Sequence, residues 1–123
     1  MVDAMSLALV AAGGAAGGVA RVTVAGFIAR RYGPDFPWGT LVVNATGAFL
    51  IGVAAGHFTP SPDLRIWQLA IIGFLGSYTT VSSFSLQTLS LVHAGKPGRA
   101  AANVALSLLI GIAAAALGFW LAA

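Results

Sequence analysis

Four long apolar runs, at roughly 4–29, 38–58, 66–92 and 100–122, make up most of the chain, separated by three short polar breaks. Each run reaches the about 20 residues that a helix needs to cross the hydrocarbon of a bilayer. The breaks are Arg30-Arg31-Tyr32-Gly33-Pro34-Asp35-Phe36-Pro37, Thr59-Pro60-Ser61-Pro62-Asp63 and His93-Ala94-Gly95-Lys96-Pro97-Gly98. Each combines proline with a charged or titratable side chain, as turns at a membrane surface do. Trp38, Trp67 and Trp120 fall near predicted span ends, in the position of an interfacial aromatic belt. The pattern predicts one all-α membrane domain over residues 1–123, with four transmembrane helices and no linker.

Within the runs, small and polar residues recur at helical spacing. Gly13-xxx-Gly17, Gly14-xxx-Gly18 and Gly52-xxx-Gly56 would let helix backbones approach closely in lipid. Read instead as a phosphate loop, Gly13–Gly18 lacks the following Lys-Ser/Thr and the preceding strand. Thr40, Asn44 and Gly47 lie on one face of the second span, and Asn103, Ser107 and Gly111 on one edge of the fourth. An amide at membrane depth is either a functional group or glue between helices worth about 1 kcal/mol. In the third span Gly73-Phe74-Leu75-Gly76-Ser77-Tyr78-Thr79-Thr80-Val81-Ser82-Ser83-Phe84-Ser85 sets glycines beside a dense run of hydroxyls. Such a break is tolerated at membrane depth only where it faces protein or a water-filled path, which makes it a candidate ion site.

Composition agrees with the pattern: 59% of the 123 residues are hydrophobic and 7% charged, against roughly a quarter charged in soluble domains. The three acids, Asp3, Asp35 and Asp63, all lie at a chain end or in a connection. The six bases contain no run interleaved with aromatics, so the net charge of +3 reads as interface anchoring and topology rather than nucleic-acid binding. There is no cysteine, which excludes disulfides and thiolate chemistry. His57 and His93 stand singly near span ends and read as interfacial. Asp3 occupies the place of a positive n-region, so the first run is expected to be a retained helix rather than a signal peptide.

Even crossing number puts Arg30, Arg31, Lys96 and Arg99 on one side and Arg65 on the other, and the positive-inside rule then places both termini outside. Arg21, inside the first run, is expected to snorkel or to pair with polar groups in the assembly.

Hydroxyls and amides without a membrane-centred carboxylate suit an anion, whose lost water must be replaced by N–H and O–H donors, with the positive edge of an aromatic ring as a weaker contact. Phe84 offers such a ring, or serves as packing bulk. A helix broken near Gly76–Thr79 would also turn carbonyls toward a cation such as Na⁺. No titratable group sits where proton-coupled antiport needs one, no nucleotide motif occurs, and no nucleophile, base and orienter cluster supports an enzyme. Passive permeation through an oligomer of narrow four-helix bundles remains.

Phe36-Pro37-Trp38-Gly39-Thr40-Leu41-Val42-Val43-Asn44 followed by Gly47, the long glycine and hydroxyl motif of the third span, and Gly-Gly-Val-Ala ending at Arg21 resemble the CrcB or Fluc fluoride channels across all four spans. The resemblance implies an antiparallel, dual-topology dimer in a bacterial plasma or inner membrane, with two pathways that export cytoplasmic fluoride down its gradient and relieve its toxicity. It also implies a structural Na⁺ at the dimer interface, held by the backbone carbonyls of Gly76 and Thr79. It implies that Asn44 donates to fluoride, that Thr80, Ser82 and Ser83 form the hydroxyl-rich part of the path, that Phe84 is the second ring of an edge-on pair, and that Ser107 continues the polar track.

Three positions depart from that pattern: Val81 stands where the first phenylalanine is usual, Gln87 where an acid is often found near the pore mouth, and Gly111 in place of a track hydroxyl. Together with the four-to-one Lys/Arg bias, they set two partners side by side: a second copy, or an oppositely oriented paralogue in a heterodimer. Two other functions compete with the channel. A non-conducting or asymmetric subunit draws on Val81 and Gln87. A small multidrug-type antiporter would need a glutamate in the first helix, and the chain has no Glu.

Overall fold

The computed structural model describes residues 3–58 and 64–123. The expected second connection, with Asp63, lies outside the described residues. Among those described there is no strand. Helix α1 spans Ala4–Tyr32, α2 Trp38–Phe58, and α6 Pro97–Ala122. The third span is segmented: a turn of α3 (Leu64–Ile66), a π-helical stretch Trp67–Leu75, a turn of α4 (Gly76–Tyr78), a gap at Thr79 and Thr80, and α5 (Val81–His93). Four stretches, Ala4–Tyr32, Trp38–His57, Leu64–His93 and Pro97–Ala122, are long and apolar enough to cross a membrane.

The span ends follow local chemistry. Asp3 caps α1, its carboxylate accepting the Ser6 amide at 2.8 Å, and this hydrogen bond holds its pKa below the ordinary value. Arg30 and Arg31 belong to the last turn of α1, where cations favour the helix dipole. The helix therefore runs past the 29 expected from hydropathy and stops at Gly33, whose φ of 82° suits glycine. Pro97 opens α6 at a position that has no amide to lose, so that helix starts earlier than 100.

Packing depends on missing side chains. Helix α2 lies along α6, and α1 along the π-helical stretch. A Cβ added at Gly13 would fall on the Leu69 carbonyl, and one at Gly17 on the Phe74 carbonyl. Gly52 and Gly118 play the same part between α2 and α6, against Ala115 and Phe49. The small-xxx-small stripe of α1 is thus a contact face, and the phosphate-loop alternative has no place in the fold. Val43, Leu75 and Tyr78 form the innermost cluster, with Tyr78 stacked on Phe74 at 5.8 Å. Only 6% of the most apolar stretch of α6 is buried, so lipid or another subunit must cover the rest.

Candidate functional site at the break in the third span

Asn44 is what holds the third span open. Its Nδ2 donates to the Thr80 carbonyl at 2.9 Å, and the Thr80 amide donates to its Oδ1 at 2.7 Å. One side chain from α2 therefore pairs both backbone groups of Thr80, which a helix would otherwise pair along its own axis. Thr79 (φ −78°, ψ 154°) and Thr80 (φ −148°, ψ 124°) are extended. The break thus falls just after Gly76–Tyr78, which are still helical, rather than across them.

Two carbonyls lose their usual donors as a result. In an unbroken helix the Thr80 amide would serve Gly76 and the Ser83 amide would serve Thr79. Here the first goes to Asn44 and the second to Thr80 Oγ1 at 3.1 Å. A third carbonyl, that of Ser77, accepts Arg21 Nε at 3.1 Å, so the arginine in the middle of α1 pairs inside the bundle. Gly76 is exposed in the single chain and Thr79 half-buried.

Beyond the gap Thr80 Oγ1 caps α5 and lies 3.2 Å from Ser82 Oγ. Asn44, Thr80, Ser82 and Ser83 are therefore one connected group. Ser82 is exposed, while Asn44, Thr80, Ser83 and Phe84 are half-buried. Val81 is 78% exposed, turned away from the chain's own core.

Phe84 and Ser107 join a second group, which includes Thr88 and Asn103. Ser107 Oγ lies 3.4 Å from Asn103 Oδ1, Asn103 Nδ2 donates to Thr88 Oγ1 at 2.8 Å, and Thr88 Oγ1 donates to the Phe84 carbonyl at 2.8 Å. Asn103 is 2% exposed. It is the buried joint between α5 and α6, and the polar stripe of α6 was its only sequence signal. Two further joints had less: Gln68 Nε2 donates to Ser6 Oγ at 2.7 Å, and Thr46 Oγ1 lies 2.9 Å from the Tyr78 hydroxyl. Gln68 interrupts an apolar run, the one hint available for the first of these.

Gln87 and Thr40 line a cavity of about 400 Å³ that also touches Asp35, Ser90 and Lys96, between the first and third connections. Gln87 Oε1 is buried there without a hydrogen-bond partner. Arg99 Nη1 reaches the Asp35 carbonyl at 3.4 Å, tying the first connection to the first turn of α6. Among the described residues no group of three or more His, Cys, Asp or Glu is placed to hold a metal. Oxygen ligands from the backbone are what the break offers.

These features define a multi-pass membrane protein: four helical crossings, the third opened at mid-course, with backbone acceptors before the opening and hydroxyl donors after it. The chain belongs to the CrcB family, described as CrcB-like protein, Camphor Resistance (CrcB), whose model matches residues 8–119. It is 52% identical over 121 residues to Fluoride-specific ion channel FluC 2 of Rhodopseudomonas palustris, covering 92% of this chain and 89% of that protein. Likewise it is 50% identical over 116 residues to FluC 2 of Bradyrhizobium diazoefficiens, at 89% and 83% coverage. To FluC of Opitutus terrae it is 46% identical over 119 residues, at 93% and 90%.

Proposed function

We propose that this chain is a subunit of a passive fluoride channel in a bacterial plasma membrane, working as an antiparallel dimer. The observation that carries the reading is the Asn44 clamp on Thr80, in a chain whose relatives are named fluoride-specific channels. Fluoride gives up water on entry and takes N–H and O–H donors in exchange. Asn44 commits one Nδ2 hydrogen to Thr80 and keeps the other for the ion. Thr80, Ser82 and Ser83 offer hydroxyls, Phe84 a ring edge, and Ser107 the next hydroxyl along α6. Because these groups are neutral, they bind fluoride weakly enough for it to leave.

The freed carbonyls of Gly76 and Thr79 suit a structural Na⁺. A small hard cation prefers oxygen, and these acceptors have lost their helical donors. When bound, the ion would be coordinated by carbonyl oxygens of both antiparallel subunits and fix their approach. Gly76 is accessible for this in the single chain, and Arg21 already occupies the neighbouring Ser77 carbonyl.

The purified chain, reconstituted alone in liposomes, is expected to release fluoride rapidly on addition of a potassium ionophore, with chloride retained. Silence of the chain alone would refute the self-paired reading. A second reading is favoured by Val81, 78% exposed and without a ring to offer, and by the Lys/Arg bias. In it the chain pairs with an oppositely oriented paralogue that supplies the missing ring, and flux appears only on co-reconstitution.

A further inference from the structure

The geometry points to a specific site for one anionic glycerophospholipid on the outer side of α1 and α2, at the end of the molecule that carries the first and third connections. An apolar groove of about 360 Å³ runs there between Ile28 and Tyr32 of α1 and Trp38 and Val42 of α2. Tyr32 is 62% and Trp38 41% exposed. Phenol and indole rings settle at headgroup level with their polar tips toward water, so the groove descends from the interface into the acyl region.

The charge at its upper end selects the headgroup. Arg31 follows Ile28 by three residues and adjoins Tyr32, so it flanks the groove on the same side of α1. Arg30 points elsewhere: it lies about 160° around the helix from Ile28, and its Nη1 sits over Gly26, 3.3 Å from where a Cβ would be. No hydrogen bond or ion pair with a described residue occupies the Arg31 guanidinium. Lys96 and Arg99 add positive charge at this end, and Asp35 is the one acid in the two connections. A phosphodiester beside Arg31 with one acyl chain in the groove satisfies both the cation and the exposed apolar wall. Zwitterionic lipid carries the same phosphodiester, but its own ammonium cancels the net charge, so the cluster of Arg31, Lys96 and Arg99 at this end favours an anionic headgroup.

Trp38 is shared by this groove and by the cavity that holds Gln87 and Thr40. Lipid seated against one side of the indole therefore bears on the wall of that cavity. Any effect on ion flux rests on the proposed function; the binding does not.

The test uses a Trp67→Phe, Trp120→Phe chain, in which Trp38 is the sole indole, in phosphatidylcholine vesicles carrying a minor share of lipid brominated on its acyl chains. Brominated phosphatidylglycerol should be about five-fold more effective at quenching Trp38 than brominated phosphatidylcholine, the preference that one basic side chain gives at an anionic surface. Arg31→Gln should abolish the preference, while Arg30→Gln should leave it. Equal quenching by the two lipids, no quenching by either because a second copy covers the groove, or a preference that survives Arg31→Gln would each overturn the site. The readout needs no transport, so a chain that fails to conduct alone but shows the preference refutes the self-paired channel and leaves the lipid site standing.

Discussion

Asn44→Ala removes two hydrogen bonds at once, and the structure says what each partner does next. The side chain donates to the Thr80 carbonyl at 2.9 Å and accepts the Thr80 amide at 2.7 Å. At about 1 kcal/mol for each interhelical hydrogen bond in a membrane, the direct loss is about 2 kcal/mol. If both backbone groups stay unpaired the cost rises to about 4 kcal/mol. The chain has a cheaper response on one side: the Thr80 amide can return to the Gly76 carbonyl and close the helix. That response removes the acceptor proposed for Na⁺. A loss of about 2 kcal/mol, near thirty-fold in the folding equilibrium, is therefore expected with a lowered dependence of stability on Na⁺. Reversible unfolding in mixed micelles, with and without Na⁺, measures both. Amide exchange at Thr80 reports the closure directly. Unchanged stability with unchanged Na⁺ dependence would refute the view that Asn44 holds the break open. Asn44→Asp separates the two roles, since it keeps the acceptor for the Thr80 amide but loses the donor and sets a negative charge in the anion's path. It should cost at least as much stability as Asn44→Ala, because its carboxylate faces the Thr80 carbonyl at membrane depth, and conduct no better.

Val81→Phe should leave thermal stability unchanged, because Val81 is 78% exposed, and should raise fluoride efflux of the chain reconstituted alone; no rise would remove Val81 from the account. Gly17→Leu should cost about 3 kcal/mol, visible as loss of the monodisperse species, since its side chain would meet the Phe74 backbone. Arg21→Gln loses the charge-assisted hydrogen bond to the Ser77 carbonyl and should destabilise by about 2 kcal/mol, with Arg21→Lys intermediate in the same unfolding assay. Asp3, whose folded pKa lies below its usual 3.8, caps α1 in its charged form; that contribution is complete above the usual carboxylate value and fades as pH falls through the lowered one. Fraying at the start of α1, followed by amide exchange at Ser6, should show this pH dependence in the native chain and lose it in Asp3→Asn.

The four crossings were legible because hydrophobic length alone identifies them, and the glycine stripe of α1 because only small residues allow the approach that Gly13 and Gly17 make. The opening in the third span was legible as a region, from glycines and hydroxyls in an apolar run. Its location was not. Thr79 and Thr80 are extended because a side chain 36 positions earlier takes the Thr80 amide, and no local preference announces that. The π-helical stretch Trp67–Leu75 was hidden for a different reason: a run that is apolar at nearly every position carries no periodicity from which to tell one helical pitch from another. Arg21 is legible as a cation that needs a partner, but its partner is a carbonyl, which leaves no mark in sequence. Asn103 and Ser107 share one edge of α6, as their spacing predicts, but the spacing does not tell that Asn103 is buried as a joint and Ser107 half-exposed beside it.

On the proposed reading, one broken helix explains how a cation and an anion are both served within a few residues. The segment ending at Tyr78 presents its last carbonyls, and α5, beginning at Val81, presents its first amides. A helix end that shows carbonyls is negative and one that shows amides is positive. Gly76 and Thr79 then lie on the side that favours Na⁺, and Thr80, Ser82 and Ser83 on the side that favours fluoride. Asn44 spans the division, pairing the amide and carbonyl of a single residue and adding no net charge. A carboxylate in its place would strengthen the first site and repel the ion at the second. An ammonium would repel the cation, hold the anion that neutral donors let go, and offer no acceptor to the Thr80 amide. A neutral amide is the side chain that leaves both polarities intact, so exchange for either charge should slow fluoride passage.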